Sequence, residues 1–176
     1  NSKILCKLFT EIGFGGNADT KKIPSWVFAL PKNQIFSFLA GYIDSDGHII
    51  RSVYLTSVNK EILEDVKFLG YYVGLWGSKV FSHGKARQSK ILGNKVNLKD
   101  SWRVSFNGEN VKSLPLKCNK KKEKLDRLKN RRNYASSKGL NFKSKANEEI
   151  GFARINKIEE IGVKPTFDIE VENYHN

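Results

Sequence analysis

Hydrophobic positions recur at helical spacing in some stretches of the chain and crowd into β-branched and aromatic runs in others, and the switches between the two predict its elements. Ile4, Leu5, Leu8, Phe9 and Ile12 predict a helix over Ser2–Ile12, which Gly13-Phe14-Gly15-Gly16 must stop. It opens without a clear cap, as if it began further upstream. Pro24 then suits the start of a short helical turn in the apolar segment Lys21–Phe28. The dominant element is a helix from Pro31 to Asp46. Pro31 fits the first helical position, and Gly47 fits a left-handed residue just past the end. Ile35, Phe36, Phe38, Leu39, Tyr42 and Ile43 cover most of this helix, while Ser37, Gly41 and Ser45 form a stripe without bulk. A glycine inside a helix costs about 1 kcal/mol against alanine. Gly41 therefore implies a second helix in close approach along the stripe.

Beyond Gly47, the run His48–Ser57 has strand composition, with Arg51 and Tyr54 to one side. Asn59 suits the cap of a helix carrying Ile62, Leu63, Val66, Leu69 and Tyr72. Lys79–Phe81 and Ser101–Phe106 read as strands around a loop from His83 to Asp100, and a short helix follows from Asn107 to Leu114. A basic helix or linker comes next, with a thin apolar stripe of Leu125, Leu128 and Tyr134 and a boundary at Ser136–Gly139. The last stretch predicts two strands, through Phe152–Ile161 and Thr166–Val171.

Two carboxylates, Asp44 and Asp46, fall in the last turn of the central helix, where unpaired carbonyls already make the potential negative. No Lys or Arg shares that turn, so a cation from outside is expected. A hard divalent ion held by carboxylate, carbonyl and water oxygens fits. The same Asp-Ser-Asp-Gly also suits a plain helix end. A calcium loop is excluded, since its first and twelfth positions would be Tyr42 and Val53.

Charge points to a polyanion. The 176 residues carry 31 Lys and Arg against 18 Asp and Glu, a net +13. Lys79, Lys85, Arg87, Lys90, Lys95, Lys99 and Arg103 face a single acid, Asp100, over one stretch, and twelve basic residues face two acids between Lys117 and Lys145. Concentrated charge suits a surface that tracks phosphates, although lysines on strand edges also suppress aggregation. Cys6 and Cys118 lie far apart without paired spacing, which disfavours a zinc site or a disulfide framework. His48, His83 and His175 show no metal spacing. No apolar run has spanning length and no signal peptide opens the chain, so a soluble, intracellular protein without membrane contact is expected. The absence of Met, even at position 1, implies a processed or partial piece.

The nonapeptide Leu39-Ala40-Gly41-Tyr42-Ile43-Asp44-Ser45-Asp46-Gly47 resembles the signature of the LAGLIDADG (DOD-type) homing endonucleases, departing from the name sequence at Tyr42 and Ser45. The resemblance implies an α/β (α+β) fold of αββαββα order, in which two such helices pack side by side and their terminal acids hold divalent metal at the scissile phosphates. Asp46, with Gly47, matches the metal-binding end; Asp44 matches a more structural position. The segment Lys21–Phe28 resembles the block before the second such helix of inteins. Pro165–Asn176 resembles part of their C-terminal splicing block, with Asp168 at the acidic position and His175-Asn176 at the internal His-Asn pair. The implied organisation is a truncated helical lead-in at 1–20, an endonuclease half at 21–122, a basic helix or linker at 123–150 and a partial splicing (Hint-type) domain at 151–176.

The resemblance thus implies site-specific cleavage of double-stranded DNA with Mg²⁺. Asp46 would be the ligand and Lys122 the basic catalytic residue, not separable from Lys120 or Lys121. Arg51, Tyr54, Lys79, Lys85, Arg87, Lys90, Lys95, Arg103, Lys120 and Lys121 would contact DNA. With only one such helix in the chain, a second half or a second copy is an expected partner. The alternatives are a free-standing homodimeric endonuclease and a non-catalytic DNA- or RNA-binding relative of maturase type.

Overall fold

A computed structural model describes residues 2–107 and 110–128, together with 155, 157–160 and 162–165. The predicted splicing strands, with Asp168 and His175, and most of the basic linker lie outside the described residues. The helices are α1 (Lys3–Glu11), α2 (Ser25–Phe28), α3 (Lys32–Asp46), α4 (Lys60–Tyr72) and α5 (Asn119–Asp126), with a 3₁₀ turn at Asn110–Ser113. The strands are β1 (His48–Ile49), β2 (Val53–Ser57), β3 (Trp76–Gly77), β4 (Phe81–Gly84), β5 (Arg87–Ile91), β6 (Asn94–Leu98) and β7 (Ser101–Asn107). β1, β2 and β7 lie side by side, and β3 and β4 share the far edge of β7; every pairing is antiparallel. The result is the expected mixed α/β class, with α3 and α4 packed on one face of the sheet and five strands rather than two between α4 and α5.

Alternation along the strands decides that face. β2 pairs with β7 in a register that sets Val53 opposite Phe106 and Leu55 opposite Val104, and all four are buried. They meet Ile35, Leu39 and Ile43 of α3 and Leu63, Val66 and Leu69 of α4 in one core. Each such side chain contributes about 1.5–3 kcal/mol by leaving water. The intervening positions, Tyr54, Thr56 and Arg103, stay on the open face. Asn59 caps α4 as expected, its side chain accepting from the Ile62 amide at 3.3 Å.

Four local expectations change. The run His48–Ser57 is two strands folded at Ile50–Ser52, which puts Arg51 in the turn rather than beside Tyr54. The expected loop from His83 to Asp100 contains the end of β4 and a separate β5–β6 hairpin, closed by Leu92 and Gly93 at φ 48° and 83°, the backbone sign that a tight two-residue hairpin turn requires. Its strands are mostly polar and basic, and the only apolar alternation, Val96 and Leu98 in β6, is too short to read as a strand. α1 is capped after all, by Ser2, whose hydroxyl accepts from the Leu5 amide. Gly47 is extended, at φ −80° and ψ 157°, rather than left-handed. Glycine is needed there because a Cβ would lie 2.6 Å from the Ile43 carbonyl oxygen.

Gly70 of α4 is fixed by packing: a Cβ there would stand 2.6 Å from Cε1 of the buried Phe106 ring and 3.2 Å from the Leu75 carbonyl oxygen. Gly70→Ala is expected to lower stability by about 1–3 kcal/mol through overpacking, despite the better helix propensity of alanine. Urea denaturation checks this, and an unchanged or raised midpoint would show that Phe106 yields without cost.

Candidate functional site

The last turn of α3 is held from the side by the segment leading into α5. The Asp44 carboxylate accepts from the Lys117 amide at 2.5 Å and the Cys118 amide at 3.3 Å. In return, Lys121 Nζ donates to the carbonyls of Ile43 and Asp44 at 2.8 and 2.7 Å. The Asp44 carbonyl is among the last of the helix without a partner within it, while that of Ile43 also accepts from the Gly47 amide at 2.9 Å. A cation there also meets the negative end of the helix dipole. Asp44 is thus tied into the fold, while the Asp46 side chain is half exposed and faces Lys21 Nζ at 3.6 Å.

The expected external cations are therefore already two lysines, one from each flank of the chain. Lys21 also sits 5.8 Å over the Tyr42 ring. Burial, reinforced by the charge of Asp46, pushes the Tyr42 phenol up to about 12, so it keeps its proton at neutral pH. The sequence offered no signal for Lys21, which is adjacent in space but far in sequence. On α5, Lys120 and Lys122 are exposed and Lys121 is half-buried on the helix end. Their shared sequence run did not distinguish these settings.

Among the described residues, no three His, Cys, Asp or Glu side chains gather as metal ligands would. What the chain offers at the end of α3 is one half-exposed carboxylate, Asp46, and the neighbouring Gly47 carbonyl. Both are hard oxygens of the kind Mg²⁺ takes, and Mg²⁺ commonly keeps several waters and uses one or two carboxylates. The donor set fits in chemistry and supplies a part of a coordination shell. Beside it runs the stripe of Ser37, Gly41 and Ser45, all exposed. A Cβ added at Gly41 would meet nothing within 4 Å, so the close approach expected there is not made by the described residues.

The open sheet face carries a row of side chains across four strands. His48 on β1 stacks on Tyr54 of β2 at 5.1 Å, and the Arg103 guanidinium of β7 lies 5.3 Å from the same ring. Arg103 Nε donates to Thr56 Oγ1 at 3.0 Å, and Nη2 reaches His83 Nε2 of β4 at 2.6 Å. Burial first, then the charges of Arg103, His83, Lys121 and Lys124, lowers the His48 imidazole. In the sequence His48 and His83 show no metal spacing. Only the pairing of β4 with β7 brings His83 to Arg103. Lys79, Lys85, Arg87, Lys90 and Lys95 are exposed, and Lys90 stands directly opposite Lys95 in the hairpin. Lys99 instead pairs with Asp19 at 2.5 Å.

If the Asp44 bonds hold α5 against α3, Asp44→Asn, which loses charge and one acceptor oxygen, should cost about 1–2 kcal/mol. Faster hydrogen exchange at the Lys117 and Cys118 amides would show the loss; unchanged protection of both would contradict this role.

Residues 33–78 match the LAGLIDADG-like domain. The chain is 28% identical over 179 residues to an iron-sulfur cluster assembly SufBD family protein of Mycobacterium leprae, covering 100% of this chain and 20% of that protein. It is 27% identical over 192 residues to the ribonucleoside-diphosphate reductase NrdEB subunit alpha of Bacillus subtilis, covering 99% and 17%. To a DNA polymerase II large subunit of Thermococcus kodakarensis it is 41% identical over 83 residues, covering 40% and 5%. The chain therefore spans a fifth or less of the length of these relatives. Their names describe unrelated work. No described helix is long and apolar enough to cross a membrane. Through residues 33–78, therefore, the chain carries a LAGLIDADG-like domain.

Proposed function

We propose that this chain provides one half of an intein-borne, Mg²⁺-dependent, site-specific endonuclease for double-stranded DNA. The observation that carries the reading is the division of labour at the end of α3. Asp44 is consumed by backbone amides, whereas Asp46 stays half exposed beside a stripe that leaves room for a second backbone. A chain needing only a helix terminator would have no use for a second carboxylate against the helix dipole, held by no more than an exposed ion pair with Lys21.

In this reading Asp46 and the Gly47 carbonyl hold the ion, and an equivalent acidic helix end from a second half, or from a second copy, supplies the rest. When bound, Mg²⁺ would polarise a phosphoryl oxygen and lower the pKa of an attacking water. The protein's own residues do the remaining work. Lys21 keeps Asp46 from standing uncompensated before the ion arrives, and a pair this exposed is worth about 0–1 kcal/mol, weak enough to be displaced. Lys121 holds the helix end in place. Lys122, with Lys120 beside it, presents positive charge where the phosphate gains negative charge. The hairpin lysines and Arg87, with Lys79, follow the backbone, and Tyr54 and Arg103 face the duplex from the sheet. Arg51 reaches it from the β1–β2 turn. Asp168 and His175 retain their proposed part in a splicing segment.

One observation favours a second reading, a binding module without cleavage: Lys21 already neutralises Asp46 within the chain. Metal-dependent nicking separates the two. Assembled with its complementary half, or as a dimer if it dimerises, the protein should nick duplex DNA in Mg²⁺. Asp46→Asn should keep DNA affinity and lose at least about a hundredfold in cleavage rate, the scale of several kcal/mol of lost transition-state stabilisation. Normal cleavage by that variant would place the metal elsewhere.

Affinity provides a separate check. The logarithm of the DNA association constant should fall with the logarithm of salt concentration, by about 0.9 for each phosphate neutralised. Replacing Lys85, Arg87 and Lys90 together by Ala should weaken binding and flatten the slope. A flat plot for the unaltered chain would remove nucleic acid as the partner.

A further inference from the structure

Arg103 is restrained more tightly than a residue that merely touches phosphate needs to be. Phosphate contacts set register and carry no sequence information directly, whereas reading a base edge requires a fork held in one orientation. Its Nε is fixed by Thr56 Oγ1 at 3.0 Å, its Nη2 by His83 Nε2 at 2.6 Å, and its plane lies by the Tyr54 ring at 5.3 Å. A guanidinium has five N–H donors and no acceptor. Two are engaged, and three remain for a ligand with two adjacent acceptors, the pattern of guanine O6 and N7 in the major groove.

The donor rule also fixes the state of His83. Since arginine can only donate, Nε2 must accept, and the ring must be neutral with its proton on Nδ1. Protonation at Nε2 would place a donor against a donor and two positive charges side by side. The groups that face His83 are Arg103 from β7 and, across the open face, His48 from β1, which is itself influenced by Lys121 and Lys124 of α5. Burial, and then the Arg103 charge, lowers the His83 imidazole below its ordinary value, in keeping with the accepting role.

We propose that His83 is a positioning residue for Arg103: its neutral Nε2 holds the guanidinium fork for a guanine in duplex DNA, and the base preference at that position is lost when Nε2 no longer accepts. This rests on the reading of the sheet as a DNA-facing surface. His83 touches no base itself; it acts through Arg103.

The test is selection of duplexes from a fully randomised DNA library by the full chain, with sequencing of the bound fraction at several pH values between about 5 and 8, the range in which histidine titrates. At the upper end, one position should be enriched in guanine about tenfold over other bases, the scale of one bidentate contact. Arg103→Ala should abolish that enrichment. His83→Ala should abolish it as well. His83→Gln, whose side-chain oxygen offers an acceptor that does not titrate, should restore it and make it independent of pH, while the unaltered chain loses it on acidification. If His83→Ala keeps the preference, or if bound DNA shows the ordinary salt dependence and no guanine enrichment, the role of His83 is overturned and the DNA-binding reading stands. If no DNA is retained at any pH in low salt, both fall together.

Discussion

The negative end of α3 is the constraint to which most of the structure answers. A helix that closes with Ile43-Asp44-Ser45-Asp46 combines unpaired carbonyls with two carboxylates, a combination unfavourable by itself. The fold relieves it from two directions. Lys121 arrives from α5, more than seventy residues downstream, and bonds the carbonyls; Lys21 arrives from upstream and faces Asp46. Asp44 turns its own charge into a clamp on the segment that delivers Lys121. The α3–α5 contact is therefore reciprocal, each partner holding the group that satisfies the other.

This arrangement also orders the open sheet face. Gly47 lets β1 leave the helix end without a Cβ pressing on Ile43, so His48 enters the sheet directly beside the acidic turn. From there the row His48, Tyr54, Arg103 and His83 crosses β1, β2, β7 and β4. The buried alternation of Val53 and Leu55 with Val104 and Phe106 aims those polar positions outward. Core packing and the candidate DNA surface are thus two sides of one register.

The elements with strong apolar periodicity were legible in the sequence. α3, α4 and β7 fall within a residue or two of expectation, because burial on one face imposes a period that few other patterns share. Polar elements were not. The β5–β6 hairpin has mostly basic and polar strands, so beyond the brief alternation of Val96 and Leu98 little in residues 87–98 distinguishes strand from loop until the Leu92-Gly93 turn is seen. At the site, a pair of carboxylates at the helix end and the basic stretches could be read from spacing and charge, and the choice of Asp46 over Asp44 came from the family resemblance. Lys21, His83 and the clamp made by Asp44 could not, since each depends on residues distant in sequence meeting in space. The lysine run Lys120–Lys122 reads as three equivalent charges, and only helical geometry turns Lys121 toward α3 and leaves its neighbours in solvent.

The central claim is that the two carboxylates of one helix turn have separate duties, Asp44 to the fold and Asp46 to an external cation. Paramagnetic broadening by Mn²⁺, followed at the side-chain carboxyl carbons of the isotopically labelled full chain, tests it directly. The expected result is that the Asp46 carboxyl and the Gly47 carbonyl broaden at lower Mn²⁺ concentrations than the Asp44 carboxyl, which stays bonded to Lys117 and Cys118. Preferential broadening of Asp44, or equal insensitivity of both, would contradict it.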